Sequence, residues 1–199
     1  MTTSERSYYD RRAPEYDDWW LGTGLYAVRE RPGWEAEVAQ VQSVLANLPF
    51  HNVLDVACGT GFLTQHLRGT VVAVDQSWRM LKVARTRLHP PKVVQGDGLA
   101  LPFRSANFEC LCASHFYGHL RLAERQRFLV EARRVAAHVL IIDAGRHGQF
   151  GTEEVQQRVL KDGSQHSVYK RYFVAEQLAA ELGGGEVLHA GYWFVAVLS

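Results

Sequence analysis

The stretch "VLDVACGTG", residues 53–61, joins a short apolar run to a turn of small residues that contains two glycines. The apolar run predicts a buried strand, and Gly59 and Gly61 allow the chain to turn sharply and to come close to a ligand. In an open parallel sheet, ligands bind beyond the carboxyl ends of the strands. The stretch therefore predicts a strand that ends at a ligand site.

Short apolar strands and amphipathic helices alternate along most of the chain. The predicted strands are 51–57, 70–75, 92–97, 107–114 and 138–144, and the predicted helices are 35–48, 62–68, a helix capped by Ser77 and ended by Pro90 and Pro91, and 121–136. This alternation predicts a parallel sheet with helices on both faces. The tail "GEVLHA" and "YWFVAVL" is separated by little more than Gly191, which predicts a hairpin and an antiparallel edge.

Composition narrows the classes of protein. The 199 residues favour one domain, and 22 basic against 21 acidic side chains give no electrostatic footprint for nucleic acid. Apolar runs of about seven residues are too short to span a membrane, and the first residues lack a secretory signal, so a cytoplasmic location is expected. Cys110 and Cys112 lie two apart on a predicted strand, which favours reduced thiols and, with an odd count, no metal site.

A carboxylate at the end of the second strand suggests which ligand the turn binds. Asp75 lies fourteen residues after Gly61 and is suited to accept two ribose hydroxyls, so the two features predict a nucleoside pocket. A dinucleotide fingerprint needs a third glycine where this sequence has Thr64, which weakens an NAD site. The absence of "GxxxxGK[ST]" disfavours a Walker-type nucleotide site.

Four successive motifs carry a family resemblance. The stretches "VLDVACGTG", "VVAVDQSWRML", "VVQGDGLALPF" and "FECLCASHFYGHL" resemble the first four motifs of class I S-adenosylmethionine-dependent methyltransferases, in their usual order. The resemblance extends from about residue 9 to the final hairpin and points to the small members that act on metabolites. It implies a Rossmann-like α/β three-layer sandwich with a seven-stranded, mostly parallel sheet of order 3-2-1-4-5-7-6 and an antiparallel strand 7.

The resemblance also implies roles for particular residues. The turn would pass the methionine moiety of the cofactor, Asp75 would hold the ribose, and Ala57 would replace a frequent family glycine. The implied cofactor-binding residues are Ala57, Cys58, Gly59, Thr60 and Gly61 in the turn, Asp75, Gln76 and Met80 at the second strand and helix, Asp97 and Gly98 beside the adenine, and Ser114 with His115 below the sulfonium. Asp55 lies inside a strand and would either orient the turn's amides or reach the cofactor amino group.

The N-terminal region is rich in aromatic residues. Tyr8, Tyr9, Tyr16, Trp19 and Trp20 fall within thirteen positions, and aromatic faces attract a sulfonium as they do other cations. The segment could simply dock against the first helix. The family often folds such an opening over the cofactor, and we therefore expect a helical lid over about residues 1–34 that contains Tyr16.

Candidate catalytic and substrate residues follow the fourth and fifth strands. His115 and His119 leave the fourth strand where the acceptor must lie, and we predict that one of them is a base or a substrate orienter. Their spacing alone does not make a metal site. Residues 162–173 could be a solvated loop, but in the family the insertion after strand five often covers the acceptor, which would make Tyr169 and Arg171 substrate contacts.

The predicted function is methyl transfer from S-adenosylmethionine to the O, N or C nucleophile of a small molecule, by a monomer or homodimer. Nucleic acid is disfavoured because the fourth motif lacks "[ND]PP[YF]", and a metal-assisted reaction because Asp143 has no acidic partner nearby in sequence. Two alternatives remain open. The pocket could serve sensing or a reaction other than methylation, and an NAD-dependent oxidoreductase is the least favoured reading.

Overall fold

A computed structural model describes residues 3–90, 92–148 and 151–199. Pro91, half of the proline pair predicted to end the Ser77-capped helix, lies outside the described residues, as do Met1 and Thr2 of the predicted lid. None of the described helices is long and apolar enough to cross a bilayer.

The described residues form six α-helices and nine strands. The helices are α1 (Thr3–Arg12), α2 (Asp18–Leu21), α3 (Trp34–Ala46), α4 (Trp78–Arg87), α5 (Leu122–Val135) and α6 (Ala175–Glu181). The strands are β1 (Asn52–Val56), β2 (Thr70–Asp75), β3 (Val93–Gln95), β4 (Phe108–Ser114), β5 (Ala136–Ala144), β6 (Glu153–Val159), β7 (Gln165–Arg171), β8 (Glu186–Ala190) and β9 (Phe194–Leu198). Short 3-10 helices cover Ala13–Glu15, Gly24–Tyr26, Thr64–His66 and Tyr117–His119.

Seven strands form one sheet in the order β3-β2-β1-β4-β5-β9-β8. Strands β1 to β5 pair in parallel, and β9 runs antiparallel to both β5 and β8. Because β6 and β7 form a separate two-stranded sheet, the main sheet has the order 3-2-1-4-5-7-6 when its own strands are counted. The predicted Rossmann-like topology and its antiparallel strand 7 are confirmed.

The two faces of the sheet bury separate apolar layers. Along β4, Leu111 and Ala113 pack in one layer with Phe128 of α5, whereas Cys110 and Cys112 pack in the other with α3. This alternation follows from the two-residue period of a strand. Both cysteines are buried and free, as predicted.

The helix predicted over residues 62–68 is wrong. In its place the structure has a short 3-10 helix, Thr64–His66, before the chain becomes extended at Leu67. Thirteen residues separate β1 from β2, and residues 57–61 form the glycine turn, so the eight that remain must also return the chain to the start of β2. Leu63 and Leu67 still pack in the layer that contains α3, which explains their apolar spacing.

The reading of residues 162–173 as a solvated loop is also wrong. Most of this stretch forms β7, which pairs antiparallel with β6 and is joined to it by a turn at Gly163, where φ is +81°. Polar residues occupy both faces of the two strands, so their sequences lack the alternation that indicates a half-buried strand.

Glu37 of α3 holds the turn between β8 and β9. Its Oε1 accepts a hydrogen bond from the amide of Tyr192 at 2.8 Å, and its Oε2 accepts from the amides of Trp193 at 2.9 Å and Phe194 at 3.2 Å. One carboxylate thus fixes the hairpin that places the antiparallel strand against β5.

Replacing Glu37 with Ala should lower the free energy of unfolding by about 2 kcal/mol, because three amides lose a charged acceptor. Urea unfolding measures this change. The exposed Glu35→Ala variant removes a carboxylate from the same helical turn and should cost less than about 0.5 kcal/mol. Equal losses in the two variants would show that Glu37 acts only through the helix dipole.

Candidate active site

A cavity opens at the carboxyl ends of the first four strands, which is where open α/β sheets bind their ligands. It is lined by Tyr9, Tyr16, Ala57, Gly59, Asp75, Gln76, Met80, Gly96, Asp97, Gly98, His115 and Phe116. Nine of these twelve residues were predicted from sequence to bind the cofactor or substrate. Tyr9 was noted in the aromatic N-terminal run but not assigned to the site, and Gly96 and Phe116 were missed although they lie inside the quoted motifs.

The turn after β1 is built from left-handed backbone. Ala57, Gly59 and Gly61 have φ of 58°, 55° and 75°. For alanine this conformation costs about 1–2 kcal/mol, a strain that glycine avoids. A Cβ on Gly59 would lie 3.2 Å from the ring of Tyr16, and one on Gly61 would lie 3.4 Å from the backbone of Ala84 in α4. Gly59 therefore faces the cavity, and Gly61 allows the turn to pack against α4.

Asp75 joins the end of β2 to this turn. Its Oδ2 accepts a hydrogen bond from the amide of Gly59 at 2.9 Å, and its Oδ1 accepts from the amide of Ser77 at 2.8 Å. Burial raises the pKa of Asp75 to about 6, although both amides favour the charged form. The carboxylate lies in the cavity wall with remaining lone pairs for a ligand.

The two roles considered for Asp55 from sequence remain predictions. Its side chain is buried, lies outside the cavity lining and accepts a hydrogen bond from the Thr64 hydroxyl. Burial raises its pKa to about 7, and the Thr64 bond opposes that rise. The Asp55 carboxyl therefore holds the segment between β1 and β2 through Thr64, the residue that stands where a dinucleotide site would have its third glycine.

Several predicted cofactor residues do not reach the cavity with their side chains. Cys58 packs beside Ala73 and Ala84, and the Thr60 hydroxyl donates to Asp17. Gly61 and Ser114 also lie outside the lining. The structure thus brings Ala57 and Gly59 to the cavity, whereas Cys58, Thr60 and Gly61 do not line it.

The far end of the cavity is formed by Gln76, Met80, Asp97 and Gly98. Met80 is fully buried, and a Cβ on Gly98 would come within 2.9 Å of the Phe116 ring. The wall here combines the buried Met80 and the closely packed Gly98 with two polar side chains, Gln76 and Asp97.

His115 lies at the cavity with a left-handed backbone, φ 52°. Its side chain is 8% exposed, and its ring meets the edges of Trp19 and Trp20 at centroid distances of 4.8 and 5.1 Å. The buried Nε2 has no hydrogen-bond partner among the described residues. Burial, helped by the charge of Lys170, lowers the pKa of His115 to about 3.

Asp143 forms an ion pair with a lysine that lies 27 residues away in sequence and could not be paired with it in advance. Lys170 of β7 donates to its Oδ1, and the amide of Gly118 donates to its Oδ2 at 2.7 Å. Burial disfavours the charged carboxylate, but Lys170, His115 and Gly118 together hold the pKa of Asp143 below its usual value. The Nδ1 of His115 lies 3.9 Å from the same Oδ1, so the ion pair stands directly behind the histidine.

His119 lies in the 3-10 helix after β4 and outside the cavity lining. Its Nδ1 is 2.7 Å from the carbonyl oxygen of Tyr169, which fixes Nδ1 as the protonated nitrogen because a carbonyl can only accept. Burial lowers the pKa of His119 well below its usual value. Both histidines are therefore neutral near pH 7 and are weak proton acceptors.

The structure does not bring Tyr169 and Arg171 to the cavity. Alternation along β7 turns Lys170 inward and its two neighbours the other way. The Tyr169 hydroxyl donates to Glu153, and Arg171 lies 3.7 Å from both Glu153 and Glu181. Their predicted contact with a substrate remains a prediction.

The N-terminal segment is tied to both sides of the cavity. Ser77 donates to Asp10, and Arg87 forms an ion pair with Asp17. Trp20 stacks on Phe62 with an angle of 10° between the ring planes. These contacts place Tyr9 and Tyr16 over the turn and the end of β2.

Comparisons with known proteins agree with this geometry. The sequence profile of the methyltransferase domain matches residues 54–138. A 2-phytyl-1,4-naphtoquinone methyltransferase from Thermosynechococcus vestitus is 31% identical over 80% of this chain and 72% of its own length. The chain belongs to the class I S-adenosylmethionine-dependent methyltransferases.

Two further similarities differ in how much of each protein they cover. A demethylmenaquinone methyltransferase from Renibacterium salmoninarum is 30% identical over 72% of this chain, but the chain spans 59% of that relative's length. A solved complex of DhpI with SAM and HEP has a TM-score of 0.77 at 23% identity and covers 98% of this chain and 96% of its own. The structural similarity shows that the methyltransferase fold is shared over almost the whole chain.

The neutral state of His115 should appear in the pH dependence of stability. The unfolded chain takes up a proton on this histidine below about pH 6.5, and the folded protein does so only near pH 3. The contribution of the neutral, buried His115 to the free energy of unfolding is therefore fully present above about pH 6.5 and is lost as the pH falls towards 3.

Urea unfolding at pH 7.5, 6.5, 5.5 and 4.5 measures this slope. His115→Gln should have a smaller loss of stability with falling pH than the parent protein. The control His138→Gln, which alters an exposed histidine on β5, should keep the parent slope. An unchanged slope in His115→Gln would contradict the buried neutral imidazole.

Proposed function

We propose that the chain transfers a methyl group from S-adenosylmethionine to a small-molecule acceptor. The observation that carries the proposal is the cavity at the carboxyl ends of four parallel strands, where a glycine turn and a carboxylate face the same space. Glycine at positions 59 and 98 lets the backbone approach the cavity closely, because a Cβ at either position would press on an aromatic ring of the cavity wall. The residues present therefore suit an adenosine that carries an amino-acid tail.

Each wall of the cavity has a proposed role. Asp75 accepts hydrogen bonds from the ribose hydroxyls, while Gln76, Met80, Asp97 and Gly98 enclose the adenine. The backbone from Ala57 to Gly59 passes the methionine moiety. When bound, the sulfonium supplies an activated methyl group whose transfer leaves a neutral thioether.

The protein's own contribution is placement of the acceptor and exclusion of water. His115 lines the cavity and packs against Trp19 and Trp20, and its buried Nε2 has no hydrogen-bond partner among the described residues, which suits a group that orients the acceptor. Holding two reactants in line can supply about 7–11 kcal/mol of the barrier. Because its pKa is lowered to about 3, His115 serves as a hydrogen-bonding group in this proposal and not as a base.

The N-terminal segment is proposed to be a lid on a single methyltransferase domain. Tyr9 and Tyr16 line the cavity, and carboxylates on both sides of Tyr16 tie the segment to α4 through Ser77 and Arg87. Hydrogen bonds and one ion pair can be remade on each turnover, so the segment can open to admit ligands. The acceptor is a small molecule, not a nucleic acid, and the three free cysteines suit a reducing cytoplasm.

Calorimetry with S-adenosylhomocysteine tests the cofactor site. Asp75→Ala should weaken binding by about ten- to a hundredfold, because the variant loses charged hydrogen bonds to the ligand. Glu109→Ala is the matched control, since Glu109 also accepts hydrogen bonds from two backbone amides but lies at the amino ends of the strands, opposite the cavity. Failure of the parent protein to bind the compound, or equal binding by Asp75→Ala, would refute the proposed site.

Transfer of a labelled methyl group from S-adenosylmethionine to any acceptor separates a methyltransferase from a sensor. The proposal expects labelled product with the parent protein and none above background with Asp75→Ala. Binding without transfer to any acceptor would favour the sensing role instead.

The lid is tested at Tyr16. Tyr16→Ala should weaken S-adenosylhomocysteine binding about tenfold, because an aromatic ring that covers the turn is lost. Tyr16→Phe keeps the ring and should bind as the parent does. Equal affinity in all three proteins would show that the segment does not cover the cofactor.

A further inference from the structure

Two arginines share one neutral oxygen behind the cavity wall. Arg12 is 6% exposed and donates to the hydroxyl oxygen of Tyr8 at 2.8 Å. Arg158 of β6 donates to the same oxygen at 3.3 Å. Like charges repel, so two guanidinium groups held on a single phenol make a site that attracts a negative charge.

Neither arginine forms an ion pair with a carboxylate among the described residues. Arg12 otherwise stacks over the rings of Tyr8 and Tyr16, and Arg158 otherwise bonds to the amide oxygen of Gln156. Three other buried or part-buried arginines are each paired with a carboxylate, in Arg87–Asp17, Arg125–Glu181 and Arg134–Glu131, whereas Arg31 donates to the carbonyl oxygen of Trp19. Because a buried charge without a counter-charge is costly, this contrast points to an anion supplied from outside.

A third cation lies near the other two. Lys170 is 4% exposed and is paired with Asp143, which gives one carboxylate for the three members of the cationic cluster, Arg12, Arg158 and Lys170. The influence of all three reaches His115, where, after burial itself, they lower the pKa further. Lys170 pairs with the Asp143 oxygen that lies 3.9 Å from the Nδ1 of His115, and Arg12 stacks over Tyr16, so the cluster adjoins two residues of the cavity lining.

We propose that the methyl acceptor is an oxyanion, a carboxylate or a phosphate-type acid, held between the cationic cluster and His115. This inference rests on the proposed function and specifies its substrate class. Arginine suits the role because its planar fork of donors matches the two oxygens of such a group. The shared phenol oxygen of Tyr8 holds both forks in place.

The reaction with such an acceptor needs no base. The ionised oxygen uses a lone pair to form the new bond to the methyl carbon, while the carbon–sulfur bond breaks and its electron pair stays on sulfur. The acceptor loses one negative charge, the sulfonium loses its positive charge, and no proton moves. This balance fits a site whose two histidines are weak proton acceptors.

A metabolite extract separated by anion exchange provides the test. The parent protein, given methyl-labelled S-adenosylmethionine, should label a product from the acidic fraction, and the product should carry one negative charge less than its precursor. Release of labelled methanol by alkali marks a carboxylate ester, and resistance to alkali marks a phosphate-type ester. Labelling from the neutral fraction alone would overturn the inference while leaving the methyltransferase proposal intact.

Anion binding gives a second readout that does not depend on finding the acceptor. Acetate and inorganic phosphate are titrated into protein saturated with S-adenosylhomocysteine, and calorimetry measures their affinity. At least one anion should bind, and Arg158→Gln should weaken it about tenfold or more without changing the affinity for S-adenosylhomocysteine. Arg127→Gln, which alters an exposed arginine on α5, is the matched control.

The outcomes separate the two proposals. If the protein does not bind S-adenosylhomocysteine, the proposed function has failed before the acceptor is considered. If that compound binds but neither anion does, or if both arginine variants bind the anion as the parent does, the oxyanion inference is wrong. Partial recovery of anion binding in Arg158→Lys would show that charge at this position matters as well as shape.

Discussion

The hydrogen bond from the amide of Gly59 to the carboxylate of Asp75 holds the site together. It links the turn after β1 to the end of β2, and the second oxygen of the same carboxylate receives the amide of Ser77, the residue that caps α4. Three elements thus meet at one side chain. The left-handed strain at Ala57 is tolerated because this bond and the packing of Gly61 against α4 over-determine the turn.

Much of the fold could be predicted because buried parallel strands carry their own signal. The runs that became β1, β2, β4 and β5 are apolar, short and bounded by turn residues, and each lies within a residue or two of its predicted range. The β6–β7 hairpin has no such signal, since both of its faces are largely polar and it packs through a few residues such as Lys170. A pattern of hydrophobicity cannot reveal a strand that packs through an ion pair, as β7 does through Lys170 and the buried Asp143.

In the candidate site, too, some features could be predicted from the sequence and others could not. Residues that act through their backbone or at strand ends, such as Gly59, Asp75 and Gly98, could be placed from spacing, and all three line the cavity. Side-chain direction within the turn could not, because left-handed residues break the alternation of the strand and send Cys58 and Thr60 away from the cavity. Electrostatic environment was equally hidden, since Asp143 and Lys170 are 27 residues apart and meet only in the folded chain.

The cationic cluster lies outside the residues that the family profile matches. This position indicates how acceptor choice can vary in this fold. The methyltransferase profile covers residues 54–138, which include the glycine turn, Asp75 and His115. Arg12 precedes that range, and Arg158 and Lys170 follow it on the hairpin, so the groups proposed to bind the acceptor lie outside the part that the profile describes. The relatives named for naphthoquinone acceptors match this chain at about 30% identity, which establishes a common scaffold. A scaffold that fixes the cofactor through strand ends leaves the N-terminal segment and the hairpin free to change. Charged groups on those two elements can therefore change the class of acceptor without altering the cofactor site.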